Sequence, residues 1–466
     1  MSSAPPVPFG PVPSARQLRW HALEYYGFIH FTVNTFTGKE WGYGDEAPAL
    51  FNPAAFDAEQ IAGAAAAGGM AGLILTCKHH DGFCLWPSRH TAHSVRHAPW
   101  RGGRGDLVRE VADACRRRGL RFGVYLSPWD RHHADYGRPA YVAFYRDQLR
   151  ELLTEYGPLF EVWFDGANGG DGYYGGARET RRIDRRAYYD WPGTWEQVRA
   201  LQPDAAIFSD GGWDVRWVGN ERGVAGDPCW HRLDRDRFFP GEADEAQLNS
   251  GHRFGSHWVP AECDVSIRKG WFHHPATDET VRSPDNLMDL YYQSVGRGAS
   301  LLLNLAPDRR GLLVDREVAA LREFKGRRDA AFGRNLAETA RIAASNVRGG
   351  AAAYAASRML DGDAATYWTC DDGVLEAEIE LRLERPIRFN VAGLREFLPL
   401  GQRVDAFQVW IEQEGRWAPF ARGEAIGHRR LSRGTRCETN RVRITVRGSA
   451  PPALSEVALY DDPNLP

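Results

Sequence analysis

The sequence predicts an α/β chain of two domains, a (β/α)8-type barrel followed by an all-β sandwich. Over roughly the first 335 residues, continuous apolar runs alternate with amphipathic helical patterns, as in parallel strands that are covered by helices. Beyond that point apolar and polar residues alternate between turns, as they do in the strands of a sandwich. At 466 residues the chain also exceeds the size at which one hydrophobic core stops growing.

Six apolar runs in the first part are predicted to be barrel strands. They are "YGFIHFTV" (26–33), "AGLILTC" (71–77), "LRFGVYLS" (120–127), "LFEVWFD" (159–165), "AAIFSD" (205–210) and "ASLLLNLA" (299–306). No GxGxxG sequence and no phosphate-binding loop follows any of these runs. A barrel therefore suits them better than an open, doubly wound sheet.

Helical patterns with recognisable ends lie between the strands. Asp57 and Gln60 resemble a capping box at the start of one helix. A second helix begins near Asp106 and ends on three arginines, which suit the negative end of a helix dipole. The clearest pattern covers about residues 138–156, where apolar residues repeat at intervals of three and four until a Gly-Pro pair.

Alternating segments in the last part predict the sandwich. They are "VLEAEIELRL", "RFNVAGL", "VDAFQVWIE", "RVRITVR" and "LSEVALY", separated by turns rather than helices. The last barrel helix is expected at about 315–329. The boundaries are therefore set at 1–335 for the catalytic barrel and 336–466 for the sandwich.

Composition excludes several classes of protein. The net charge is -3, so nothing indicates a nucleic-acid partner, and no apolar run is long enough to span a membrane. Seven cysteines without a CxxC spacing indicate neither a disulfide framework nor a zinc site. No signal peptide is visible, which gives a cytoplasmic location by default and a periplasmic or secreted one if a leader was removed. The oligomeric state stays open.

Polar and aromatic side chains collect where the predicted strands end. In chain order these are His30, Glu40, Trp41, Lys78, His79, His80, Asp81, Tyr125, Trp129, Asp130, Asp165, Asp210, Trp213, Asp214, Trp217, Asn220 and Glu221. Barrel enzymes carry their active sites at this end of the strands. His79, His80 and Asp81 are adjacent and lack the i, i+4 spacing of zinc ligands on a helix. We therefore expect them to form hydrogen bonds to sugar hydroxyls or structural hydrogen bonds. No metal and no cofactor is predicted.

Carboxylates and tryptophans without a cofactor motif indicate glycoside hydrolysis, which uses two carboxyl groups with different tasks. Asp165 stands at the tip of the strand in "EVWFDGANGG" and suits the attacking carboxylate, with Gly166 leaving room for the sugar. The plain alternative is a turn aspartate, because Asp-Gly is a common turn pair. The proton donor must come from another loop.

Seven motifs together resemble the α-L-fucosidases of glycoside hydrolase family 29. They are "GFIHFTVNTF", "GKEW", "LILTCKHHDGF", "GVYLSPWD", "EVWFDGANGG", "RWVGNE" and "LLLNLAPDRRG", over roughly residues 20–330. The "EVWFDGA" and "RWVGNE" versions resemble the branch that removes α-1,3/1,4-linked fucose from branched oligosaccharides or glycoproteins. The resemblance implies a retaining mechanism with Asp165 as nucleophile and Glu221 as acid/base. It also implies fucose binding by His30, Glu40, Trp41, His79, His80 and Tyr125, and less firmly by Trp271.

Two other functions stay open on the residues alone. A barrel glycosidase for another sugar, such as an α-galactosidase, would keep the two carboxyl groups and change the pocket. A sugar-binding protein without catalysis would lack one of them, yet both are present.

The segment "ASNVRGGAAAYAASRMLDGDAATYW" resembles discoidin-like modules, some of which bind sugar or calcium. Its expected role is structural.

Overall fold

A computed structural model describes residues 4–242 and 244–465, and within them eight parallel strands close into a barrel. The strands of this part are β1 (Tyr25–Ile29), β2 (Gly72–Lys78), β3 (Arg121–Leu126), β4 (Glu161–Trp163), β5 (Gly170–Gly172), β6 (Glu179–Arg181), β7 (Ala206–Ser209), β8 (Val215–Trp217), β9 (Arg232–Leu233), β10 (His257–Trp258), β11 (Ala261–Ser266) and β12 (Ser300–Leu305). Around the barrel the order is β1, β2, β3, β4, β7, β8, β11 and β12. The predicted barrel is confirmed.

Helices separate most of the barrel strands. They are α1 (Ala15–His21), α2 (Val33–Thr37), α3 (Ala58–Ala67), α4 (Leu107–Arg117), α5 (Pro139–Glu155), α6 (Trp191–Leu201), α7 (Glu245–Ser250), α8 (Pro284–Gln293) and α9 (Asp315–Phe332). Asp57 caps α3 by accepting hydrogen bonds from two backbone N–H groups of its first turn. The other half of the predicted capping box is wrong, because the Gln60 amide pairs with the backbone of Leu313 instead. No helix of the described residues is long and apolar enough to cross a membrane.

Two barrel strands, β8 and β11, were not predicted, because neither is a continuous apolar run. In β11 the residues Glu262 and Asp264 point into the barrel, where one is bonded to Trp163 and the other lines a cavity. Their neighbours Cys263 and Val265 pack outside in apolar clusters. The strand therefore alternates charged and apolar residues although both of its faces are buried.

A pair of buried glutamates lies in the barrel interior. Glu161 accepts a hydrogen bond from the Trp20 indole at 2.9 Å, and Glu262 accepts bonds from Trp163 at 2.7 Å and from the Tyr26 hydroxyl. Burial raises the pKa of both carboxyls, and the charge of Glu262 adds to the shift at Glu161. Two like charges buried together are costly, so the barrel interior favours the protonated form of Glu161.

The C-terminal part is a β-sandwich of antiparallel strands. These are β13 (Arg341–Ala344), β14 (Trp368–Thr369), β15 (Glu376–Glu396), β16 (Val404–Gln413), β17 (Arg416–Gly423), β18 (Arg430–Gly448) and β19 (Ala453–Tyr460). Register shifts between 382 and 387 and between 389 and 391 bend the long β15–β18 ladder, as β-bulges do. The inward faces form an apolar core of their own.

Charged contacts fix the sandwich to the barrel. Glu24, which precedes β1, accepts hydrogen bonds from Arg395 and Arg429, each at 2.8 Å. Arg430 forms a two-pronged ion pair with Asp227 at 2.7 and 2.9 Å. Bidentate pairs of this kind set orientation as well as contributing energy.

Candidate active site

An open cavity of about 310 Å³ lies at the C-terminal ends of the barrel strands. Its lining consists of Phe28, His30, Trp41, His79, His80, Tyr125, Trp163, Asp165, Gly166, Ala167, Asp210, Trp217, Glu221, Gly241, Asp264 and Trp271. Eight of the nine site residues predicted from the sequence are in this lining. Glu40 is not, but its carboxylate accepts the Trp271 backbone N–H at 2.7 Å. The mixture of carboxyls, imidazoles and aromatic faces suits a sugar ring.

Both carboxylate oxygens of Asp165 accept hydrogen bonds. The Tyr125 hydroxyl donates to Oδ2 at 2.9 Å, and the Ala167 N–H donates to Oδ1 at 2.7 Å. The side chain is 24% exposed, so one edge of it faces the cavity. These two bonds hold the carboxylate in one orientation at the cavity.

The glycine after Asp165 has a different role from the predicted one. A Cβ atom at Gly166 would lie 1.7 Å from Oδ2 of Asp210. The space that Gly166 leaves is thus taken by a second carboxyl group of the protein, not reserved for the sugar. Asp210 also accepts the Gly241 N–H at 2.9 Å. Burial, followed by the charge of Asp165, raises the pKa of Asp210 to about 7.

The hydrogen bonds of His30 define its tautomer. The amide nitrogen of Asn304 donates to the Trp271 carbonyl at 2.8 Å, so the amide oxygen faces Nδ1 of His30, also at 2.8 Å. That nitrogen must carry the proton, because an amide oxygen only accepts. Burial lowers the pKa of His30 to about 3. His30 is therefore neutral and leaves Nε2 as an acceptor on its other side.

His80 is arranged in the same way. Ser127 has one hydroxyl proton and donates it to the Trp129 carbonyl at 2.7 Å. Nδ1 of His80 lies 2.7 Å from that hydroxyl oxygen and so acts as the donor. Burial lowers the pKa of His80 in spite of the nearby Asp165, whose Oδ2 is 3.7 Å from Nε2. Neutral His80 then presents Nε2 as an acceptor beside Asp165.

His79 has the opposite polarity. The amide nitrogen of Asn34 donates to the Glu40 carbonyl at 3.2 Å and lies 3.5 Å from Nδ1 of His79. Nδ1 is then the acceptor, which places the proton on Nε2. Burial lowers the pKa of His79 well below its ordinary value, and the neighbouring His80 and His30 lower it further. The three histidines thus supply both donors and acceptors for hydroxyl groups.

Glu221 lies in surroundings that favour its protonated form. The Trp271 indole donates to Oε2 of Glu221 at 3.3 Å, and this bond acts against protonation because it favours the charged form. Burial of the carboxyl raises its pKa, and the charges of Asp165 and Glu40 act in the same direction. The carboxyl therefore keeps a proton to a higher pH than an isolated glutamate would.

Two tryptophans belong to the cavity wall, and one of them contacts Glu221. Trp271 bonds Glu221 through its indole and Glu40 through its backbone, while its ring centroid lies 5.0 Å from that of His30. Trp41 is 51% exposed and packs edge-on against His80 and Trp129, at centroid distances of 5.2 and 5.5 Å. A tryptophan so exposed at the mouth of a cavity offers a face to a ligand.

Asp264 lines the cavity but was not predicted from the sequence as a site residue. Its carboxyl accepts the Trp217 indole N–H at 2.7 Å, and burial, followed by the charge of Glu221, raises its pKa. The strand that carries it was not recognised, because the two charges in "AECDVS" hide the apolar alternation. Phe28 and Trp163 were also missed as lining residues, since they lie inside predicted strands rather than at their ends.

Several strand-end residues have structural roles instead. The Lys78 ammonium is fully buried and bonds Asp130 at 3.0 Å and Gln148 at 2.8 Å. Asp214 directly precedes β8, at the N-terminal end of that strand, and accepts hydrogen bonds from Arg16 and Arg199. Neither group lines the cavity. Ion pairs explain these charges without a catalytic role.

Comparisons with known proteins agree with one another. The sequence model of the family described as "Alpha-L-fucosidase" matches residues 14–326. A putative α-L-fucosidase 1 from Oryza sativa subsp. japonica is 42% identical over 98% of this chain and 86% of its own length. For α-L-fucosidase 1 from Arabidopsis thaliana the identity is 39%, over 98% and 89%.

Solved structures extend the comparison to three dimensions. A putative α-L-fucosidase from Bacteroides thetaiotaomicron superimposes with a TM-score of 0.90 at 38% identity, over 98% of this chain and 99% of its own. A Ruminococcus gnavus GH29 fucosidase, solved in complex with fucose, gives a TM-score of 0.88 at 31% identity, over 99% and 97%. Barrel, cavity and sequence matches lead to one conclusion: the chain belongs to the α-L-fucosidase family of glycoside hydrolases, GH29.

Proposed function

We propose that the protein is a retaining exo-α-L-fucosidase that removes terminal α-1,3/1,4-linked L-fucose from branched oligosaccharides or glycoconjugates. The observation that carries the proposal is the pairing of Asp165 and Glu221 on one cavity. Two hydrogen bonds orient Asp165 for attack, whereas burial and nearby negative charges raise the pKa of Glu221. Retaining glycosidases divide nucleophile and proton donor between two such carboxyls.

In the first step, a carboxylate oxygen of Asp165 bonds to C1 of the fucose while the bond from C1 to the glycosidic oxygen breaks. Glu221 transfers its proton to that oxygen, so the remaining glycan leaves as a neutral alcohol. The products are the shortened glycan and a fucosyl ester of Asp165. The Tyr125 hydroxyl stays beside the aspartate and holds its orientation.

In the second step, Glu221 acts as a base. Forming the ester removes the negative charge of Asp165, which is one of the charges that raise the pKa of Glu221. The pKa of Glu221 therefore falls once the ester has formed, so the carboxylate left by the proton transfer is stable. It takes a proton from water, the water oxygen bonds to C1, and Asp165 is released as a carboxylate.

Recognition of the sugar follows from the cavity wall. His30 and His80 offer ring nitrogens as acceptors, and His79 offers a ring N–H as a donor. L-Fucose lacks a hydroxyl at C6, so its methyl group needs an apolar surface, which Phe28 and Trp271 supply. A buried partner for each hydroxyl also rejects sugars that lack it. We assign His30, Glu40, Trp41, His79, His80, Tyr125 and Trp271 to fucose binding.

The linkage preference rests on the "EVWFDGA" and "RWVGNE" motifs. We expect a higher kcat/KM on Lewis-type α-1,3/1,4 fucosides than on 2′-fucosyl oligosaccharides. Comparable kcat/KM values on both substrates would contradict the linkage assignment but not the proposed fucosidase activity.

The C-terminal domain is assigned a structural role with a discoidin-like fold. We set the boundary at 335/336, between the end of α9 at Phe332 and the start of β13 at Arg341. Glu24 and Asp227 of the barrel form ion pairs with this domain, which supports a domain packed against the barrel rather than one attached only by a linker.

The nucleophile is tested with Asp165→Gly. This variant should be inactive on aryl α-L-fucosides and should be rescued by azide, because the small anion can enter the vacated space and attack C1. A single displacement would give a fucosyl azide of inverted anomeric configuration, which NMR identifies. Asp165→Asn serves as the matched variant that keeps the side-chain volume, and near-normal turnover by it would sink the proposal.

A further inference from the structure

A second cavity, of about 610 Å³, lies at the N-terminal ends of the barrel strands. Strand β3 leads from it towards the candidate active site, because Arg121 and Phe122 at the start of the strand line the second cavity and Tyr125 near its end lines the first. The two cavities therefore lie at opposite ends of the barrel. The volume falls in the range of small-molecule sites, about 300–1,000 Å³.

The floor of this cavity is apolar. Leu23 and Phe160 line it and are only half-buried. Trp20 lines it as well, and its one polar group, the indole N–H, donates to Glu161 at 2.9 Å. Because that N–H is already bonded, Trp20 offers a ligand only apolar surface. The other apolar residues of the lining are Ala22, Ala112, Leu120, Phe122, Pro158 and Leu159. Such a floor suits the aromatic or aliphatic body of a ligand.

Guanidinium groups surround this floor. The charged residues of the lining are Arg16, Arg19, Arg116, Arg121 and Asp204. Arg19 pairs with Asp204 and Arg116 pairs with Asp113, but both ion pairs are exposed, the Asp204 side chain by 82%. Exposed ion pairs hold their charges together only weakly. They leave these arginines able to interact with a ligand.

The arginines of this rim outnumber the carboxylates that pair with them. Arg16 shares the carboxylate of Asp214 with Arg199. Arg121 is exposed, and its guanidinium has no hydrogen-bond or ion-pair partner among the residues that the structure describes. The chain as a whole has a net charge of -3, so this positive charge is a local feature. A free guanidinium presents a fork of N–H donors that matches a carboxylate, sulfonate or phosphate group.

We propose that this cavity binds a small organic anion, an aromatic or aliphatic body that carries one carboxylate, sulfonate or phosphate group. The body lies on the apolar floor, and the anionic group pairs with Arg121 at the rim. Both parts are needed, because the side chains of the floor offer no charge to an anion and the exposed rim offers little apolar surface. The site is separate from the fucose-binding cavity, so its occupation does not depend on the proposed function.

The test uses anilinonaphthalene sulfonate, a probe with a sulfonate on an aromatic body that fluoresces in apolar surroundings. Titration of the wild-type protein in low-salt buffer should give a saturable signal that remains when excess L-fucose is present. Arg121→Ala should raise the Kd about 5-fold, the effect of one exposed charge pair, and Arg121→Glu about 20-fold, because repulsion replaces attraction. Phenylnaphthylamine, the same body without the sulfonate, should bind the wild type and both variants with equal Kd.

Arg385→Glu is the matched control. Arg385 is an exposed arginine of β15 in the sandwich, also without a partner among the described residues, and its replacement should leave the Kd unchanged. Near-ultraviolet circular dichroism should show that each variant is folded, since the probe also binds loosened proteins.

Three results would overturn the inference. They are a wild-type protein that binds no probe once L-fucose is present, equal Kd values for Arg121→Glu and Arg385→Glu, and a wild-type dimer in sedimentation that Arg121→Glu dissociates. The last result would mean that a second copy of the chain covers the cavity. A protein that cleaves no fucoside would contradict the proposed function but not this site, because the titration involves no cleavage.

Discussion

Glu221 shows how the charges around one residue can set its task. Burial and the charges of Asp165 and Glu40 raise its pKa, while the Trp271 indole acts against them by bonding the charged form. On balance the pKa of the carboxyl is raised in the free enzyme. A proton donor must be protonated at the working pH, so the same charges that raise the pKa extend activity towards higher pH.

Replacing Glu221 by Ala should separate substrates by their leaving groups. The glycan released from a natural oligosaccharide is a poor leaving group and needs the proton of Glu221. The kcat/KM for such substrates should therefore fall by about 10²–10⁴-fold. A dinitrophenyl fucoside leaves without help and should form the fucosyl ester at a nearly normal rate. The decline of activity at high pH, which marks loss of the Glu221 proton, should disappear from the kcat/KM profile.

An equal loss on both kinds of substrate would remove Glu221 from the acid/base role. In that case Asp264 becomes the next residue to test, because its buried carboxyl also lines the cavity and is close enough to Glu221 for their charges to interact. Glu221→Gln keeps the size of the side chain and should behave like the Ala variant.

At the scale of elements, an asparagine at the end of a neighbouring strand orients His30, one of the histidines that we assign to fucose binding. β1 and β12 pair in parallel with Phe28 opposite Asn304, which brings the Asn304 amide to His30 beyond the end of β1. The same amide donates to Ser266 at the end of β11 and to the Trp271 carbonyl. One asparagine thus links three segments of the cavity wall.

Replacing Asn304 by Ala should impair binding without abolishing chemistry. His30 would lose the acceptor that fixes its proton on Nδ1, so both the ring orientation and the acceptor at Nε2 would be lost. We expect kcat/KM for an aryl fucoside to fall about 10–100-fold, the range found for residues that orient the histidine ligands of metal ions. The loss should fall mainly on KM, since Asn304 does not contact the reacting carboxyls. A loss in kcat alone would contradict this role.

The sequence predicts those elements whose patterns are local. The continuous runs of β1, β2, β3 and β12 and the caps of α3 and α4 are visible in it, because each depends on residues a few positions apart. Strand β11 is not visible, because Glu262 and Asp264 are tolerated only through partners from other strands, such as Trp163 and Trp217. Asp210 and Gly166 likewise meet only in three dimensions.

At the scale of the whole molecule, three buried histidines lie where the barrel meets the sandwich. The ring of His21 lies 4.8 Å from that of His231 and 5.1 Å from that of His428. The Trp258 indole N–H donates to Nε2 of His21 at 3.2 Å, and the backbone N–H of His428 donates to Nε2 of His231 at 2.9 Å. Both acceptor nitrogens are thereby held without a proton. The joint is built for neutral histidines.

Burial is the main reason why the pKa of each of these histidines is lowered. At His21 the neighbouring histidines lower it further, while Glu24 opposes them. In the unfolded chain a histidine titrates near 6.5, so below that pH the unfolded state binds more protons than the folded one. The free energy of unfolding should therefore decrease as the pH falls below about 6.5, with each such histidine contributing up to about 1.4 kcal/mol per pH unit.

His21→Gln tests this account, because glutamine keeps an acceptor for the Trp258 N–H and removes one titrating ring. Urea unfolding followed at several pH values between 7 and 5 should give a slope of unfolding free energy against pH that is smaller than that of the wild type by up to about 1.4 kcal/mol per pH unit. The Arg395 and Arg429 bonds to Glu24 remain, so the domains should stay packed at neutral pH. Equal slopes in both proteins would show that the joint does not sense acid through His21, and the acid sensitivity would then come from other buried histidines, such as His231 and His428 of the joint or those of the active-site cavity, whose pKa values burial also lowers.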